Sequence, residues 1–463
     1  MHLRHRCHTS DELVFSTMST RFANWNGSAS STPRVVAVPK DLGELIDVVK
    51  DRDAYPSPVR AAGSFHSLNA CFATTGTQVL LRNFDDIHVD VASETISVGA
   101  AVTMVGIRDA LRPYAMQTEV APEIGNATAG SVACCGTKDA SIGSGLAQVS
   151  SQVVGVKMVN AQGGVEEVTN DTDPERMRVI RSSYGLLGVV FEVTFRIQSA
   201  ITLRYDYAAF PLSPPPTRDQ LLGGADGMLG LVQPYANRII VERRYVDRDG
   251  LRPISRFAQM KRKARDKLWE TGTSFLPTLL PFNRVFRMLD DGVWVVLRGL
   301  GLLGGFRARR SDSTIAFESK RWHYFDFTFW TVPVSRWAEF LPVYVRFCDD
   351  YLRETGFRVS LISEAYLMNQ DDHSLLSPTA SEDAFTMDVT DTRVHDLRWA
   401  EFNRRFNVLV AGFGGRPLLN QTKHLSKEIV HQTLGTDWGR FLKIRQKEDP
   451  EGRFLSDYFI ELM

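Results

Sequence analysis

The stretch of sequence that decides the fold is residues 59–69, which read Val-Arg-Ala-Ala-Gly-Ser-Phe-His-Ser-Leu-Asn. A β-prone approach leads into a turn made of Gly63 and Ser64, and the imidazole of His66 and the hydroxyl of Ser67 follow at once. Such a turn can lay successive backbone N–H groups against an anion, because no bulky side chain is in the way. The pattern predicts a diphosphate-binding turn with His66 beside the bound group. The alternative is an ordinary turn without a ligand, since a small-residue turn with one histidine is a common pattern.

Length and composition allow a large folded protein and exclude several kinds of partner. The chain has 463 residues, 43% of them hydrophobic, so two large domains with sizeable cores fit its length. Lysine plus arginine and aspartate plus glutamate are equal at 54 each, so no overall field attracts nucleic acid or an anionic membrane. The five cysteines lack metal-ligand spacing, and the adjacent pair Cys134-Cys135 is a poor disulfide. We therefore expect no metal site and a reducing, cytoplasmic environment; the oligomeric state is open.

Neither the N-terminus nor the most apolar window predicts a membrane segment. The basic residues 1–7 are followed by Thr9-Ser10-Asp11-Glu12, where a secretory signal would have an apolar region. The apolar window 276–306 is interrupted by a proline and several charged residues, so it is not a spanning helix. It is interpreted as core or as a lid over a site; contact with a membrane or a partner is the alternative.

The first half of the chain predicts short strands and helices of the α+β kind. Strands are expected at 33–39, 59–62, 79–81, 87–89 and 95–98, with helices from Lys40 and over 102–111. A second small-residue run, 124–138, lets backbone pack tightly against a flat ligand or a neighbouring strand. Strands at 153–159 and 165–168 form a hairpin through Gly163-Gly164, and another strand covers 189–197.

The second half predicts longer strands and mixed helices. An aromatic strand is expected over 322–333, with Phe325, Phe327 and Phe329 facing the core and the mixed opposite face as a possible pocket wall. A helix over 335–355 should be kinked or divided at Pro342. A strand over 358–368, a helix over 396–406 and a short strand at 409–411 follow.

Four ordered segments resemble the FAD-linked oxidases of the vanillyl-alcohol-oxidase type, in the aldonolactone and alditol oxidase branch. They are Asn24-Trp25 with the strand 33–39, the Gly-Ser-Phe-His-Ser turn at 63–67, the run from Gly125 to Thr137 with the strand from Gln152, and residues 184–194 from Tyr-Gly-Leu-Leu-Gly onward. The tail 449–458 extends the resemblance to the end of the chain.

The resemblance implies an α+β fold: a two-subdomain FAD-binding domain of the PCMH type, then a cap domain with a large antiparallel sheet flanked by helices. We expect the first domain at 20–198 and the cap at 199–463, with 412–463 returning to the flavin. It implies FAD as cofactor, attached through the His66 ring to the flavin 8α-methyl; a non-bonded histidine is the alternative. The implied cofactor residues are Gly63, Ser64, Phe65, His66, Ser67, Asn69, Gly125, Thr128, Gly130, Ser131, Gly136, Thr137 and Val189.

The segments expected to bind substrate depart from the family pattern. Lys138 stands where the family often has a histidine, and Ser363-Glu364-Ala365-Tyr366 replaces Ser-Glu-x-Arg. Arg416-Pro417 is followed by Leu-Leu-Asn-Gln instead of His-Trp-Gly-Lys, so Gln421 takes the lysine position and Lys423 is a possible substitute. The leucines and Tyr366 suggest a less hydrophilic substrate than a sugar. Arg416 is interpreted as substrate-related or as a partner of an acidic neighbour.

Three functions are consistent with these residues. The preferred one is an FAD oxidase that takes a hydride from a C–H next to oxygen in a small alcohol, polyol or lactone and passes electrons to O2, giving H2O2. A role in specialised metabolism is consistent with the less hydrophilic substrate. Glu364, Tyr366 and Gln421 are the candidate catalytic residues. The alternatives are a dehydrogenase of the same fold with another acceptor, where small residues at 99–101 govern oxygen access, and a flavoprotein that has lost its redox chemistry.

Overall fold

The computed structural model describes residues 20–248, 251, 253–267, 292, 295, 305–316, 325–360 and 362–463. The expected lid at 276–306 lies almost entirely outside these residues. Within the described ranges, the strands form a three-stranded, a six-stranded and a seven-stranded sheet and two short two-stranded ribbons. None of the described helices is long and apolar enough to cross a bilayer.

The N-terminal part contributes eleven strands. They are β1 Phe22–Ala23, β2 Ser30–Ser31, β3 Val35–Ala37, β4 Val59–Ala61, β5 Thr77–Val79, β6 Ile87–Asp90, β7 Thr95–Gly99, β8 Met116–Thr118, β9 Val153–Val159, β10 Val165–Thr169 and β11 Val189–Ser199. The three-stranded sheet is parallel in the order β3-β5-β4. The six-stranded sheet is antiparallel in the order β10-β9-β11-β7-β6, and β8 pairs with the end of β11.

The rest of the chain contributes nine described strands. They are β12 Thr202–Pro211, β13 Gly227–Gln233, β14 Arg238–Val246, β15 Phe306–Arg309, β16 Asp326–Thr328, β17 Thr331–Pro333, β18 Ser363–Met368, β19 Ala384–Thr386 and β20 Val389–Asp391. The seven-stranded antiparallel sheet has the order β15-β12-β14-β13-β18-β19-β17, and β16 pairs with β20. The mixed fold with this large sheet in its second part agrees with the predicted class.

Helices cover the sheets. Those described are α1 Leu42–Lys50, α2 Met104–Leu111, α3 Ala129–Cys134, α4 Pro174–Ile180, α5 Arg218–Leu222, α6 Arg256–Lys267, α7 Val334–Thr355, α8 Leu397–Gly412, α9 Lys427–Glu448 and α10 Asp457–Leu462. The start of α1 shows why the sequence folds locally as predicted: Asp41 accepts a hydrogen bond from Glu44 N, and Leu45, Val48 and Val49 are buried. α9 contains a break at Gly435, whose φ is 49°.

The predicted strand at 409–411 was wrong, and of the two alternatives at Pro342 the division of the helix does not occur, because packing outweighs local signals. α7 runs as one helix through Pro342, and its buried face, which includes Trp337, Phe340 and Tyr344, outweighs the missing hydrogen bond at the proline. The predicted strand 409–411 lies within α8. Phe402, Phe406 and Val410 recur every four residues and are all buried, so the helical period continues to Gly412.

The C-terminal segment packs against the N-terminal sheets. Leu419, Trp438 and Phe459 belong to the same core as the six-stranded sheet, and Phe454 belongs to the core of the three-stranded sheet. Arg453 donates to the carbonyls of Val48 and Val49 at the end of α1, at 2.8 and 2.9 Å. Residues that follow the seven-stranded sheet in sequence are thereby held beside the turn at 63–67. The domain limits themselves stay predictions.

Candidate active site

One large cavity lies where the N-terminal sheets, the seven-stranded sheet and the C-terminal segment meet. Its volume is about 550 Å³, within the range of roughly 300–1,000 Å³ that small-molecule and cofactor sites occupy. Two of its walls differ in chemistry. The glycine-rich wall consists of residues 63–67 with Thr128, Gly130 and Ser131, and the charged wall consists of Glu123, Lys138, Glu364, Tyr366 and Asp388.

Gly63 is the contact point of the glycine-rich wall. A Cβ at this position would lie 2.1 Å from Thr128 Oγ1 and 2.5 Å from Ser131 Oγ. Those two hydroxyls are 3.0 Å apart, and Ser64 Oγ donates to the carbonyl of Asn126. The two small-residue runs therefore meet at a position that has room for a hydrogen atom only, which explains the glycine.

Phe65 fixes the backbone immediately before His66. Its φ is 57°, a conformation that a bulky residue keeps only where its surroundings impose it. Its ring stacks on Phe22, with 5.4 Å between centroids, and meets Phe72 edge-on at 5.3 Å. Its carbonyl accepts a hydrogen bond from Trp25 N at 3.1 Å. These contacts hold the turn in one shape.

His66 brings an unengaged ring nitrogen to the cavity. Its Nδ1 is buried and has no hydrogen-bond partner among the described residues. Burial lowers the pKa of His66 from 6.5 to about 4, so the ring is neutral near pH 7 and one nitrogen keeps its lone pair. This nitrogen and the close contact at Gly63 fit the FAD that the sequence predicts, because a flat ring can approach the turn without meeting a side chain.

Arg60 ties the turn to two other segments. Its buried guanidinium donates to the carbonyls of Cys71 and Tyr184 at 2.8 and 2.6 Å, and to those of Gly185 and Phe454 at 3.2 and 3.1 Å. A guanidinium can donate to four carbonyls at once because it is planar and carries five N–H groups. The strand that leads into the turn, the 184–190 segment and the C-terminal segment are therefore held in register.

The cavity brings together most, but not all, of the predicted cofactor residues. Gly63, Ser64, Phe65, His66, Ser67, Thr128, Gly130, Ser131 and Thr137 line it. The other four have visible packing roles behind the lining. Asn69 donates to the Leu419 carbonyl at 2.6 Å, a Cβ at Gly125 would clash with Val105 and Ile315, one at Gly136 would clash with Leu418, and Val189 is buried at the start of β11.

On the charged wall, Glu364 and Tyr366 share one face of β18, as predicted. The Tyr366 hydroxyl is 3.1 Å from Glu364 Oε2, and it also lies 3.4 Å from Glu123 Oε2. Burial raises the pKa of both glutamates; the Glu364 charge adds to the rise at Glu123, and the Asp388 charge adds to the rise at Glu364. Burial also keeps the Tyr366 phenol protonated by raising its pKa. Two carboxyl groups thus converge on one phenol.

Lys138 occupies the position of the absent family histidine and supplies a cation instead. Its ammonium lies 2.6 Å from Asp388 Oδ2, and both side chains are nearly buried, with 10% and 4% exposed. The same ammonium lies over the rings of Phe329, Tyr366 and Phe327, at 5.1, 5.2 and 5.8 Å from their centroids. An ion pair with aromatic neighbours therefore replaces an imidazole in this wall.

A buried cluster of arginines supports the charged wall from behind. Arg244 pairs with Asp139 at 3.1 Å and with Glu242 at 3.2 Å. Arg265 of α6 pairs with Glu242 at 2.9 Å and itself lines the cavity. Both guanidinium groups approach Glu123 less closely, at 3.7 and 3.9 Å. The cluster fixes Glu123 without forming a close ion pair with it.

The C-terminal segment supplies amides, not a lysine. Asn420 and Gln421 line the cavity, and Gln421 Oε1 is buried without a hydrogen-bond partner among the described residues. The suggestion that Lys423 takes over the family's lysine role was wrong. Its ammonium donates to Ser28 Oγ and the Leu68 carbonyl, both at 2.9 Å, and lies 3.2 Å from Asp326.

In this region the interpretation of Leu418 and Leu419 was wrong, and one of the two interpretations of Arg416 is confirmed. Leu418 and Leu419 are buried and are not among the lining residues, so they carry no information about substrate polarity. Leu418 instead fills the space over Gly136. Arg416 pairs with Asp437 at 2.9 Å, which confirms the interpretation as the partner of an acidic residue.

The predicted faces of the aromatic strand were wrong at the four residues 325–328, although Phe329 is fully buried in the core as predicted. Phe325 and Phe327 line the cavity, whereas Asp326 and Thr328 are fully buried. Asp326 is buried because it accepts hydrogen bonds from Asn26 and Trp399, both at 2.9 Å, in addition to its contact with Lys423. Trp322 and Tyr324 lie outside the described residues.

Sequence reasoning missed Glu123, Asp388 and Arg265 as cavity residues. Glu123 directly precedes the small-residue run, and Asp388 lies between β19 and β20, where its backbone pairs with Glu364. No local motif marks either of them. The available signal for Glu123 was its place beside a run that was already assigned to the ligand.

The fold and the cavity define a two-part flavoprotein, and the comparisons with known proteins agree. Residues 33–169 match the FAD binding domain family, and residues 233–462 match the D-arabinono-1,4-lactone oxidase family. The chain belongs to the FAD-linked oxidases of the vanillyl-alcohol-oxidase type, in the aldonolactone and alditol oxidase branch.

Some of the similar proteins match this chain along almost their whole length. An L-gulono-1,4-lactone dehydrogenase of Mycobacterium tuberculosis is 24% identical, over 95% of this chain and 98% of that protein. An L-gulonolactone oxidase of Scyliorhinus torazame is 23% identical, over 96% and 98%. A mutant of cholesterol oxidase from Brevibacterium sterolicum shares the fold with a TM-score of 0.73 at 12% identity, over 96% of each chain. This chain is an FAD-dependent oxidoreductase that acts on CH–OH groups.

Proposed function

We propose that this protein is an FAD oxidase that oxidises the CH–OH group of a small lactone or alcohol and releases H2O2. The observation that carries the proposal is the convergence in one cavity of His66, with its free Nδ1, and the Glu364–Tyr366 pair. When FAD is bound, it accepts the hydride and passes two electrons to O2. The names of the relatives support an aldonolactone as the first substrate to test.

In this proposal the residues of the chain bind, orient and deprotonate the substrate. Glu364 takes the hydroxyl proton, and Tyr366 orients the Glu364 carboxylate through their 3.1 Å hydrogen bond. Gln421 offers to substrate or to the flavin pyrimidine an amide oxygen that has no hydrogen-bond partner in the described part of the chain. Phe325, Phe327 and Ile362 form apolar lining that excludes water beside these polar groups.

We further propose that FAD is covalently attached to His66. The bond joins a ring nitrogen, which we assign as Nδ1, to the flavin 8α-carbon. One N–H hydrogen and one C–H hydrogen are lost, and O2 accepts both with two electrons to give H2O2, so the step balances. The neutral ring and the buried, partner-free nitrogen support this assignment. The fixed Phe65 backbone and the Arg60 bonds keep the nitrogen in place.

Acid precipitation tests the covalent bond. We expect the yellow colour to stay with the wild-type pellet and to be released into the supernatant from His66→Ala. His88→Ala, on the exposed part of β6, is the matched control and should keep its colour. Release from both wild type and His66→Ala would overturn the bond while leaving the enzyme assignment intact.

Peroxide release tests the acceptor and the substrate class. L-Gulono-1,4-lactone and D-arabinono-1,4-lactone should bleach the flavin without air and yield H2O2 in air. Flavin bleaching with little peroxide would favour the dehydrogenase alternative, for which Ala100 and Ala101 on the cavity lining are the oxygen-access residues to change. A bound flavin that no alcohol or lactone bleaches would favour a protein without redox chemistry.

The finer parts of the assignment follow from the same proposal. We place the FAD-binding domain at 20–198 and the cap at 199–463. We assign the nine predicted cofactor residues that line the cavity to contacts with the flavin, and the other four to packing behind that lining. The described cysteines Cys71, Cys134, Cys135 and Cys348 are free thiols, which supports a reducing, cytoplasmic location.

A further inference from the structure

Glu123, Tyr366 and Glu364 form a chain of three oxygen-bearing side chains across the charged wall. Glu123 lies in the loop between β8 and α3, and Tyr366 and Glu364 lie on β18. The Tyr366 hydroxyl lies 3.1 Å from Glu364 Oε2 and 3.4 Å from Glu123 Oε2. A phenol has one proton to donate, so it cannot serve two ionised carboxylates equally. A second proton on one carboxyl group lets that group donate to the phenol oxygen.

The neighbouring cations do not compensate the charges of both glutamates, because each cation is paired with another acid. Arg244 and Arg265 are engaged by Asp139 and Glu242 at 2.9–3.2 Å, and reach Glu123 only at 3.7 and 3.9 Å. Lys138 is engaged by Asp388. Within the described residues, Glu364 forms no ion pair. Glu123 Oε1 is buried without a hydrogen-bond partner there.

The electrostatic environment agrees with this geometry. Burial raises the pKa of Glu123, the Glu364 charge adds to that rise, and Arg265 and Arg244 oppose it. Burial also raises the pKa of Glu364, where Asp388 adds to the rise and Lys138 opposes it. Two such carboxyl groups titrate as a pair that holds one proton over a range of pH.

We propose that Glu123 is the terminal proton acceptor of a relay that runs from Glu364 through Tyr366. The inference rests on the proposed function. In the resting pair the shared proton lies on Glu364. Glu364 donates this proton to the Tyr366 oxygen as the phenol proton passes to the ionised Glu123, so the phenol is regenerated and Glu364 becomes ionised. As the substrate hydride leaves, the substrate O–H bond breaks and its proton goes to Glu364. Glu123 then releases its proton to water once product has left the cavity that it lines.

Infrared titration of the holoenzyme without substrate tests the shared proton. We expect a protonated-carboxyl C=O band near neutral pH in the wild type, and its loss in Glu123→Gln. Glu175→Gln is the matched control, because Glu175 is an exposed acid paired with Arg440 far from the charged wall. A wild type without this band, or a Glu123→Gln protein that keeps it, would overturn the proposal.

Kinetics with L-gulono-1,4-lactone test the relay. We expect kcat of Glu123→Gln to fall about 100-fold, as for loss of a general base, with KM changed less than about threefold. The acid limb of the pH profile should move to lower pH, because Glu364 loses its like-charged neighbour. Tyr366→Phe should lower kcat similarly, and Glu123→Asp should be intermediate. An unchanged kcat and pH profile in a folded, flavin-containing Glu123→Gln would overturn the relay.

The two proposals fail in different ways. A band that Glu123→Gln abolishes, in a protein whose flavin no lactone or alcohol reduces, would support the shared proton and overturn the oxidase function. Substrate-dependent flavin reduction that is insensitive to Glu123→Gln would support the oxidase and overturn the relay.

Discussion

The two walls of the cavity are built on opposite principles. The glycine-rich wall depends on absent side chains: at Gly63, atoms of two runs approach so closely that a Cβ would lie 2.1 Å from Thr128. The charged wall depends on side chains that compensate one another, such as Lys138 and Asp388 at 2.6 Å. The first wall is made of two contiguous runs, whereas the second gathers residues from four separate places in the sequence, at 123, 138, 364–366 and 388.

This difference determines which residues of the cavity can be substituted while the fold is kept and which cannot. A backbone contact tolerates almost no substitution, because any added atom has to displace a neighbour. An ion pair can be rebuilt with other partners, provided that every buried charge remains compensated. The glycine-rich wall therefore keeps the family pattern, and the departures at Lys138, Tyr366 and Gln421 all lie elsewhere on the cavity lining.

The largest expected effect is that of Gly63→Ala. The new methyl group would force the turn away from Thr128 and Ser131, at a cost of about 3 kcal/mol, the upper end of ordinary overpacking. The displaced turn would no longer hold the cofactor in place, so cofactor binding is expected to weaken as well. We expect purified protein with little flavin, measured by absorbance after denaturation, and a corresponding loss of activity.

Gly439→Ala is the matched control for this change. Gly439 lies in α9 with open space around it, so an alanine should retain flavin and stabilise the helix by about 1 kcal/mol. Full flavin content in Gly63→Ala would show that the glycine-rich wall can adjust, and the proposed contrast between the walls would fail.

A smaller effect on cofactor binding is expected from Lys138→Met in the charged wall. Removing the ammonium leaves Asp388 buried without its partner, which costs about 3–5 kcal/mol for a buried pair. Burial raises the pKa of Asp388, and Lys138 opposes that rise, so the variant should relieve part of the cost by protonating Asp388. We expect a lower free energy of unfolding with flavin retained, measured by denaturant titration.

The double variant Lys138→Met with Asp388→Asn distinguishes compensation from packing. It removes both charges, so most of the lost stability should return, most visibly above the pH at which Asp388 of the single variant ionises. If the double variant is as unstable as Lys138→Met alone, the lysine stabilises the wall through its contacts with Phe327, Phe329 and Tyr366, and the charge argument is wrong.

The same contrast explains how far the sequence could predict this molecule. The turn at 63–67 was identifiable because its glycine, hydroxyls and histidine are adjacent in sequence. Glu123 and Asp388 were missed because their meeting depends on how β18 is placed against an N-terminal loop. The prediction of the faces of the aromatic strand was wrong for a related reason. Asn26, Trp399 and Lys423 converge on Asp326 and make burial of its carboxylate tolerable. The regular alternation of residues along the strand gives no sign of these partners.

The smallest expected effect concerns an ion pair outside both walls, between Asp371 and His373. Asp371 accepts from His373 Nδ1 at 3.0 Å and from Ser151 Oγ at 2.7 Å, so it joins the loop after β18 to the segment before β9. The hydrogen bond to Asp371 raises the pKa of His373 above 6.5. The folded state therefore binds the His373 proton more tightly than the unfolded state. The resulting stability is fully present below pH 6.5 and is lost as the pH rises through the folded pKa.

His373→Gln should keep a hydrogen-bond donor to Asp371 and remove the charge. Because 46% of the His373 side chain is exposed, we expect a loss below about 1 kcal/mol. It should be seen at about pH 5.5, reduced by salt, and absent at about pH 8.5. Thermal unfolding at both pH values measures it. A loss as large as that of Lys138→Met would mean that exposure does not separate the two ion pairs, and that the charged wall owes its sensitivity to something other than burial.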